Sequence, residues 1–287
     1  MSDAERDWFL SAELPVIFSD ILSRFSQFAP LVNAAGPTSQ MFSTDTEVPG
    51  ETIPLSSSLK DDHVKGHIKM KGPLITKTEL SIEINHTPVP IKTVVSIKEE
   101  EHNPWQLHQL GYAANYLFYV KQRCEDIAQG KVYTFDKARR TLDTILDELK
   151  RCKHQFVLPK QKSTTTFNRN HCVFSPELPP GLLVNFHIKD NRLVLTISCL
   201  KNPQDLHAKD KYSVPQNAYA DRTIMLPVHW MVDMYDKLTR LQNEIQLVYQ
   251  KMSVLGQTTP HQRQPRSCGG CHGNSSSDAT STGSVSC

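Results

Sequence analysis

Four groups of residues in this 287-residue chain have types and spacings that could support chemistry. Cys268-Gly269-Gly270-Cys271-His272 spells CxxCH, the spacing that attaches a c-type haem. Together with Cys287 it also presents soft ligands suited to zinc. Either use needs a folded frame, yet residues 257–287 are rich in Gln, Pro, Ser, Gly and Thr, with no apolar periodicity. That composition predicts a disordered, solvated tail. His63-Val64-Lys65-Gly66-His67 would place two imidazoles on one side of a helix as metal ligands. However, Val64, Gly66, Ile68 and Met70 alternate with Lys65, His67, Lys69 and Lys71, which predicts a strand. At ~3.3 Å per residue the two rings would then lie about 13 Å apart.

Ser57-Ser58-Leu59-Lys60 fits SxxK by letters, inside a stretch read as linker, where nothing holds a nucleophile and base in register. Neither GxGxxG nor GxxxxGK[ST] is present, and Gly130-Lys131 alone has no phosphate-binding meaning. Cys124 and Cys152 fall on helical core positions and Cys199 on the apolar row of a strand, so all three read as small buried hydrophobes. The sequence therefore assigns no catalytic, cofactor-binding or metal residue, and no cofactor. The charged runs Glu99-Glu100-Glu101, Arg139-Arg140 and Lys150-Arg151-Cys152-Lys153 read as solvated faces, with docking of an oppositely charged partner as their competing use.

The elements that would carry these residues follow from periodicity. Apolar residues spaced three then four apart recur in four stretches. They are Leu10, Leu14, Ile17, Ile21, Phe25, Phe28 and Val32; then Leu107, Leu110, Ala114, Leu117, Lys121, Cys124 and Ala128. The third is Phe135, Ala138, Leu142, Ile145, Leu149, Cys152 and Phe156. The fourth is Met231, Met234, Leu238, Leu241, Ile245, Val248, Met252 and Leu255. Asn103-Pro104 is expected to cap and open the second helix and Gly130 to close it. Thr134 caps the third, and Pro227 and Gly256 bound the last. Pro15 interrupts the first stripe, so it either kinks that helix or marks its start.

Alternating segments lie between the stripes. Leu80, Ile82 and Ile84 form one row, and Val89 to Ile97 another. Val184 to Ile188 turns through Lys189-Asp190-Asn191-Arg192 into Leu193 to Cys199, a hairpin signal, and Thr223 to Leu226 reads as an edge strand. The predicted fold is α+β: an elongated antiparallel four-helix bundle with a small antiparallel β-sheet domain at one end. The bundle would take residues 1–33, 104–158 and 227–256, and the β domain 59–101 and 171–226. Residues 34–58 would be a loose linker and 257–287 the tail.

Composition narrows the function classes. Net charge is +2, from 32 basic and 30 acidic residues, which gives no general attraction to nucleic acid or anionic lipid. The first residues, Met1 to Asp7, lack a basic start and an apolar run, so no signal peptide is expected. The longest nearly apolar stretch, Leu110 to Val120, is too short to cross a bilayer. Seven cysteines, widely spaced, fit reduced thiols.

The segment from Phe174 through Ser175-Pro176-Glu177-Leu178-Pro179-Pro180-Gly181 to Ile188, followed by Leu193 to Ile197, resembles the middle of the Rogdi family. Trp8-Phe9-Leu10 with Glu13, Val64-Lys65-Gly66, and Lys251 to Leu255 are similar to further parts of that family. The similarity spans about residues 5–33 and 59–256. It implies a helical bundle plus a β domain, and no catalytic residues. It also implies the role of small subunit in a RAVE/rabconnectin-type complex, which promotes assembly of the V-ATPase from its cytosolic and membrane sectors. The direct partner so implied is a large WD-repeat propeller protein of the DMX/rabconnectin type. Localisation would be cytoplasmic with peripheral recruitment to acidifying membranes, and a nuclear pool is a further expectation. Neither nucleic acid nor direct membrane insertion is expected. The tail after Gly256 and Pro15 depart from the family pattern. Two alternatives compete: a zinc- or redox-responsive protein using the CxxCH tail, and a coiled-coil nuclear interaction protein. Oligomeric state and the partner-binding surface leave no spacing signature.

Overall fold

The computed structural model describes residues 3–32, 50–59, 62–85, 87, 90–97, 104–132, 134–157, 174–200 and 218–256. Three helices are long: α4 (His108–Ala128), α5 (Phe135–Val157) and α6 (His229–Gly256). The N-terminal stripe instead forms α1 (Asp3–Trp8), a π turn (Phe9–Glu13), α2 (Leu14–Ser23), a 3-10 turn (Phe25–Phe28) and α3 (Ala29–Val32). Pro15 explains the π turn. Its nitrogen has no hydrogen to give, and its ring would press on the carbonyl four residues back. Widening the turn relieves this, and the Leu14 N–H bonds to the Phe9 carbonyl, five residues back. The buried row shifts with it, to Phe9, Leu14, Phe18, Ile21, Phe25, Phe28 and Leu31, leaving Leu10 and Ile17 half-buried.

Strands β1 (Gly50–Leu59), β2 (Asp62–Lys71), β3 (Leu74–Ile84) and β4 (Ile91–Ile97) pair antiparallel in chain order, and β5 (Trp105–Gln106) pairs with the start of β3. Strands β6 (Leu182–Lys189), β7 (Arg192–Leu200) and β8 (Ala218–Pro227) form a second antiparallel sheet. The two sheets are tied together. Ser96 at the end of β4 exchanges backbone bonds of 3.0 and 2.8 Å with Ser175, just before β6. At the start of the interior strand β2, Asp62 accepts bonds from Arg222 of β8, with Nε at 2.9 Å, and Asp62 Oδ1 accepts the Asn85 N–H at 2.8 Å. Trp105 stacks edge-on to Phe186 with ring centres 5.2 Å apart, tying β5 to the second sheet.

These facts overturn the expected elongated four-helix bundle with a single small sheet at its end. The first helix is broken into short pieces and the strands make two sheets. Inward rows of both sheets belong to the same apolar core as the helices, including Ile68, Leu80, Ile82, Leu195 and Ile197 beside Leu117, Leu142 and Leu238. The α+β class itself holds. Strand β1 occupies part of the stretch read as linker, because Ile53 and Leu55 bury a two-residue alternation that its serines had disguised. Helix α4 begins at His108 rather than at Pro104, since Trp105–Gln106 first pairs with β3. Helix α6 begins after Pro227, which ends β8. Val120, not Lys121, fills the core position on α4. Thr134 does cap α5, accepting the Lys137 N–H at 3.3 Å, and Gly130 ends α4 at a positive φ of 66°. The tail 257–287 lies outside the described residues.

Helices and sheets join at one polar point. Asp190 and Asn191 form the two-residue β6–β7 turn with φ of 50° and 59°, the left-handed pair such hairpins require. Their N–H groups bond the Val157 and Phe156 carbonyls at 3.1 and 2.8 Å, closing the C-terminus of α5. Beside them the buried Gln109 carboxamide donates to the carbonyls of Gln155 (3.2 Å) and Ile188 (2.9 Å) and accepts the Ile188 N–H at 2.7 Å.

Two substitutions check this construction. Gln109→Leu strands those backbone groups and should lower unfolding stability by about 3 kcal/mol in a denaturant titration, against less than ~0.5 for exposed Gln122→Leu. At Gly66, φ is 150° and an added Cβ would sit 1.8 Å from the Glu79 carbonyl oxygen. Gly66→Ala should therefore cost about 3 kcal/mol or more, and a wild-type melting curve for it would refute the close approach of β2 and β3.

Candidate interaction surface

The structure disperses the motifs that might have been reactive. His63 and His67 lie on β2 as the alternation predicts, and each finds its own neighbour. The Ser58 hydroxyl is 2.9 Å from His63 Nδ1, and Glu79 is 3.9 Å from His67 Nδ1. Ser57 sits in β1 opposite Val64, and Lys60 lies outside the described residues. The CxxCH residues Cys268, Cys271 and His272, with Cys287, also fall outside them. Among the described residues no group of three His, Cys, Asp or Glu could hold a metal ion.

Ser58 and His63 are a hydroxyl–imidazole pair that sequence reading missed, because β1 was taken for linker. Among the described residues the pair has no third member that would turn such a contact into an activated nucleophile. Glu83 faces His63 in register, but its carboxylate is engaged with Lys92 at 3.6 Å. Ser58 is also exposed, with no enclosing wall to exclude water.

Cys124, Cys152 and Cys199 are core groups. Cys152 donates to the Ala113 carbonyl at 3.3 Å, where α4 and α5 approach over small side chains. Burial pushes the Cys124 and Cys152 thiols far above the usual cysteine range. Cys199 is pushed up to about 11, mainly by burial and then by the nearby Asp62 charge.

What the surface offers instead is contact chemistry. Helix α6 runs antiparallel to the N-terminal segment, held by three basic groups. Arg6 Nε donates to the Leu255 carbonyl at 2.8 Å, closing the end of α6. Lys251 pairs with Glu13, and Arg24 grips both oxygens of Glu244 at 2.9 and 2.8 Å. That hydrogen bond is the main force raising the Arg24 pKa. Along this seam Trp8, Val16, Leu247 and Val254 remain 60% or more exposed, off the buried stripes. On α4 Tyr112 and Tyr119 are 44% and 51% exposed. Large exposed aromatics and aliphatics on rigid helices are what protein-binding faces are made of. The heptads could not reveal them, because that pattern reports only the inward side.

The family model described as Rogdi leucine zipper containing protein matches residues 5–267. The chain is 24% identical to "Protein rogdi" of Drosophila melanogaster over 258 residues, covering 87% of each chain. It is 22% identical to "Protein rogdi homolog" of Rattus norvegicus over 213 residues, 72% of this chain and 70% of that one. With the homologue of Danio rerio, identity is 20% over 200 residues, 68% and 66% of the two chains.

The burial of the thiols gives a chemical check. In the native protein at pH 8, iodoacetamide should leave Cys124 and Cys152 unmodified in peptide mapping and label them only after denaturant is added. Rapid native labelling at either position would mean that the α4–α5 contact is open.

Proposed function

The chain belongs to the Rogdi leucine zipper containing protein family, and from that premise we propose that it is a non-enzymatic adaptor. In this reading it is the small subunit of a RAVE/rabconnectin-type complex that promotes V-ATPase assembly from cytosolic and membrane sectors. A large WD-repeat propeller protein of the DMX/rabconnectin type is its direct partner. The protein acts in the cytoplasm and reaches acidifying membranes through that partner. No described helix is long and apolar enough to cross a membrane, which is compatible with recruitment through a protein.

The observation that carries the reading is the family match over residues 5–267. Two structural features support a binding role. The rigid helices present exposed Trp8, Tyr112, Tyr119 and Leu247, residue types that carry much of the energy of protein interfaces. Near Trp8 and Leu247 the ionisable groups pair one to one, as in Arg24–Glu244 and Glu13–Lys251, rather than converging on one point.

Affinity purification of the tagged full chain from cells should recover a propeller-rich protein and, through it, V-ATPase subunits. Repeated recovery of neither would defeat the proposal.

A further inference from the structure

The four most exposed large apolar side chains among the described residues border one seam. Trp8, Val16, Leu247 and Val254 are 60% exposed or more, and no other exceeds 55%. Their places follow from the contacts that hold α6 against the N-terminal segment. Leu247 stands three residues after Glu244 and four before Lys251, and Val254 stands three after Lys251. Both therefore share the side of α6 that grips the N-terminal segment. Val16 stands three residues after Glu13 and four before Asp20, whose carboxylate holds Arg24. The two segments run antiparallel. Arg6 reaches Leu255 and Glu13 reaches Lys251, so Trp8 lies about level with Val254. Arg24 reaches Glu244, so Val16 lies about level with Leu247.

The seam thus carries two apolar rows, one on each side, with ion pairs between them. Glu13 is paired with Lys251 and Arg24 with Glu244. Lys251 also lies over the Phe9 ring, 5.1 Å from its centre, so its stem covers apolar surface. A lone helix laid along the seam would rest on these ions, strip them of water and miss the rows on either side. The matching occupant is a helix pair with two apolar rows at the same separation. A second copy of this chain is such a pair. Turned about a two-fold axis parallel to the helices, it sets Trp8 on Val254 and Leu247 on Val16. Each contact then joins a larger side chain to a valine. The ions nearest the axis are already paired within each copy, so no unpaired like charges are brought together there.

We propose that two copies of the chain associate through this seam, α6 of each packing on the N-terminal segment of the other. The proposal does not rest on the adaptor reading, which concerns a different protein. The four side chains expose on the order of 400 Å² of apolar surface in each copy, the size at which a patch marks a binding face. With the stems of the bordering ions, two copies bury about 1,200 Å², the lower end of specific interfaces. One row alone falls well short of that area. The dimer is therefore a reversible one, filled and emptied by concentration.

The test is the mass of the full chain in solution, by sedimentation equilibrium in dithiothreitol so that no disulfide links two copies. The wild type should rise from 32.5 kDa toward twice that mass, with a midpoint on the order of 10 μM. Leu247→Glu with Val254→Glu should raise the dissociation constant about a hundredfold or more, because the two-fold repeats each change. Val16→Lys should act likewise from the opposite row. Val94→Glu, an exposed valine on β4, should change nothing. All these positions are exposed, and matching melting curves of the dilute variants confirm folding. Benzoylphenylalanine at Val16, in a mixture of 14N and 15N chains, should cross-link to α6 of the other isotope. A monomer at every concentration, a dimer untouched by the charged variants, or cross-links confined to one isotope would overturn the proposal. So would a monomer that loses the propeller partner on Leu247→Glu with Val254→Glu, which gives the seam to that partner. A dimer that recovers no propeller partner upholds the seam and sinks the adaptor reading alone.

Discussion

Where α5 ends and the β6–β7 hairpin turns, backbone groups that water cannot reach must find partners inside the protein. The chain supplies them from two sources. The turn residues Asp190 and Asn191 direct their N–H groups at the last carbonyls of α5. The Gln109 side chain satisfies both backbone groups of Ile188 and one more carbonyl of α5. A methionine or leucine of equal size could fill the same volume but would leave those groups unpaired. The helical and β parts are joined by hydrogen-bond geometry at this point, and apolar packing then spreads outward from it. The second sheet follows from that anchor, since β6 and β7 leave the same turn and carry Phe186 to Trp105 and Arg222 to the neighbourhood of Asp62 through β8.

Patterns that repeat were readable in the sequence, and single interactions that decide geometry were not. The stripe from Phe135 to Phe156 and that from Met231 to Leu255 are buried residue for residue where the spacing put them, Phe135 alone being half-buried. The turn at Asp190-Asn191 was legible because few residue pairs tolerate two left-handed conformations. The N-terminal stripe misled at Phe9, because a π turn ahead of Pro15 adds one residue to a turn and rotates everything before it, and at Phe18, where the buried row takes a four-residue step from Leu14 instead of the three-residue step to Ile17. Strand β1 was hidden by Ser56, Ser57 and Ser58, whose polarity resembles linker although Ile53 and Leu55 face the core. The separate-bundle expectation failed for a related reason. Periodicity says that a strand has an apolar face but not what that face meets, and here the rows of two sheets merge with those of the helices in one core.

Surface function is less legible still, and the contrast between α4 and α6 shows why. Leu247 and Val254 are seven residues apart on α6, yet they belong to the exposed side, while the heptad of buried residues runs beside them. Both rows have the same period, so spacing alone cannot separate core from contact surface. The tyrosines of α4 are easier to interpret once the fold is known. Leu117 and Val120 fill the inward side, so Tyr112 and Tyr119 are not needed for the core. Arg139-Arg140 and Lys150 to Lys153 looked alike as basic runs, but the fold divides them. Arg139, Lys150 and Lys153 turn to partners within the chain, whereas Arg140 and Arg151 lie exposed on the outer side of α5.

The joint also fixes how α4 lies on α5. Gln109 heads the side of α4 that continues to Tyr116, and its bonds to the end of α5 set the register of the two helices from that end. The short connection around Gly130 sets it from the other. With both ends fixed and Cys152 bonded to Ala113 between them, the register of α4 on α5 is held along the pair. A helix pair held this way presents its outer side chains on a rigid frame, and rigidity lowers the ordering cost that is a main part of any association.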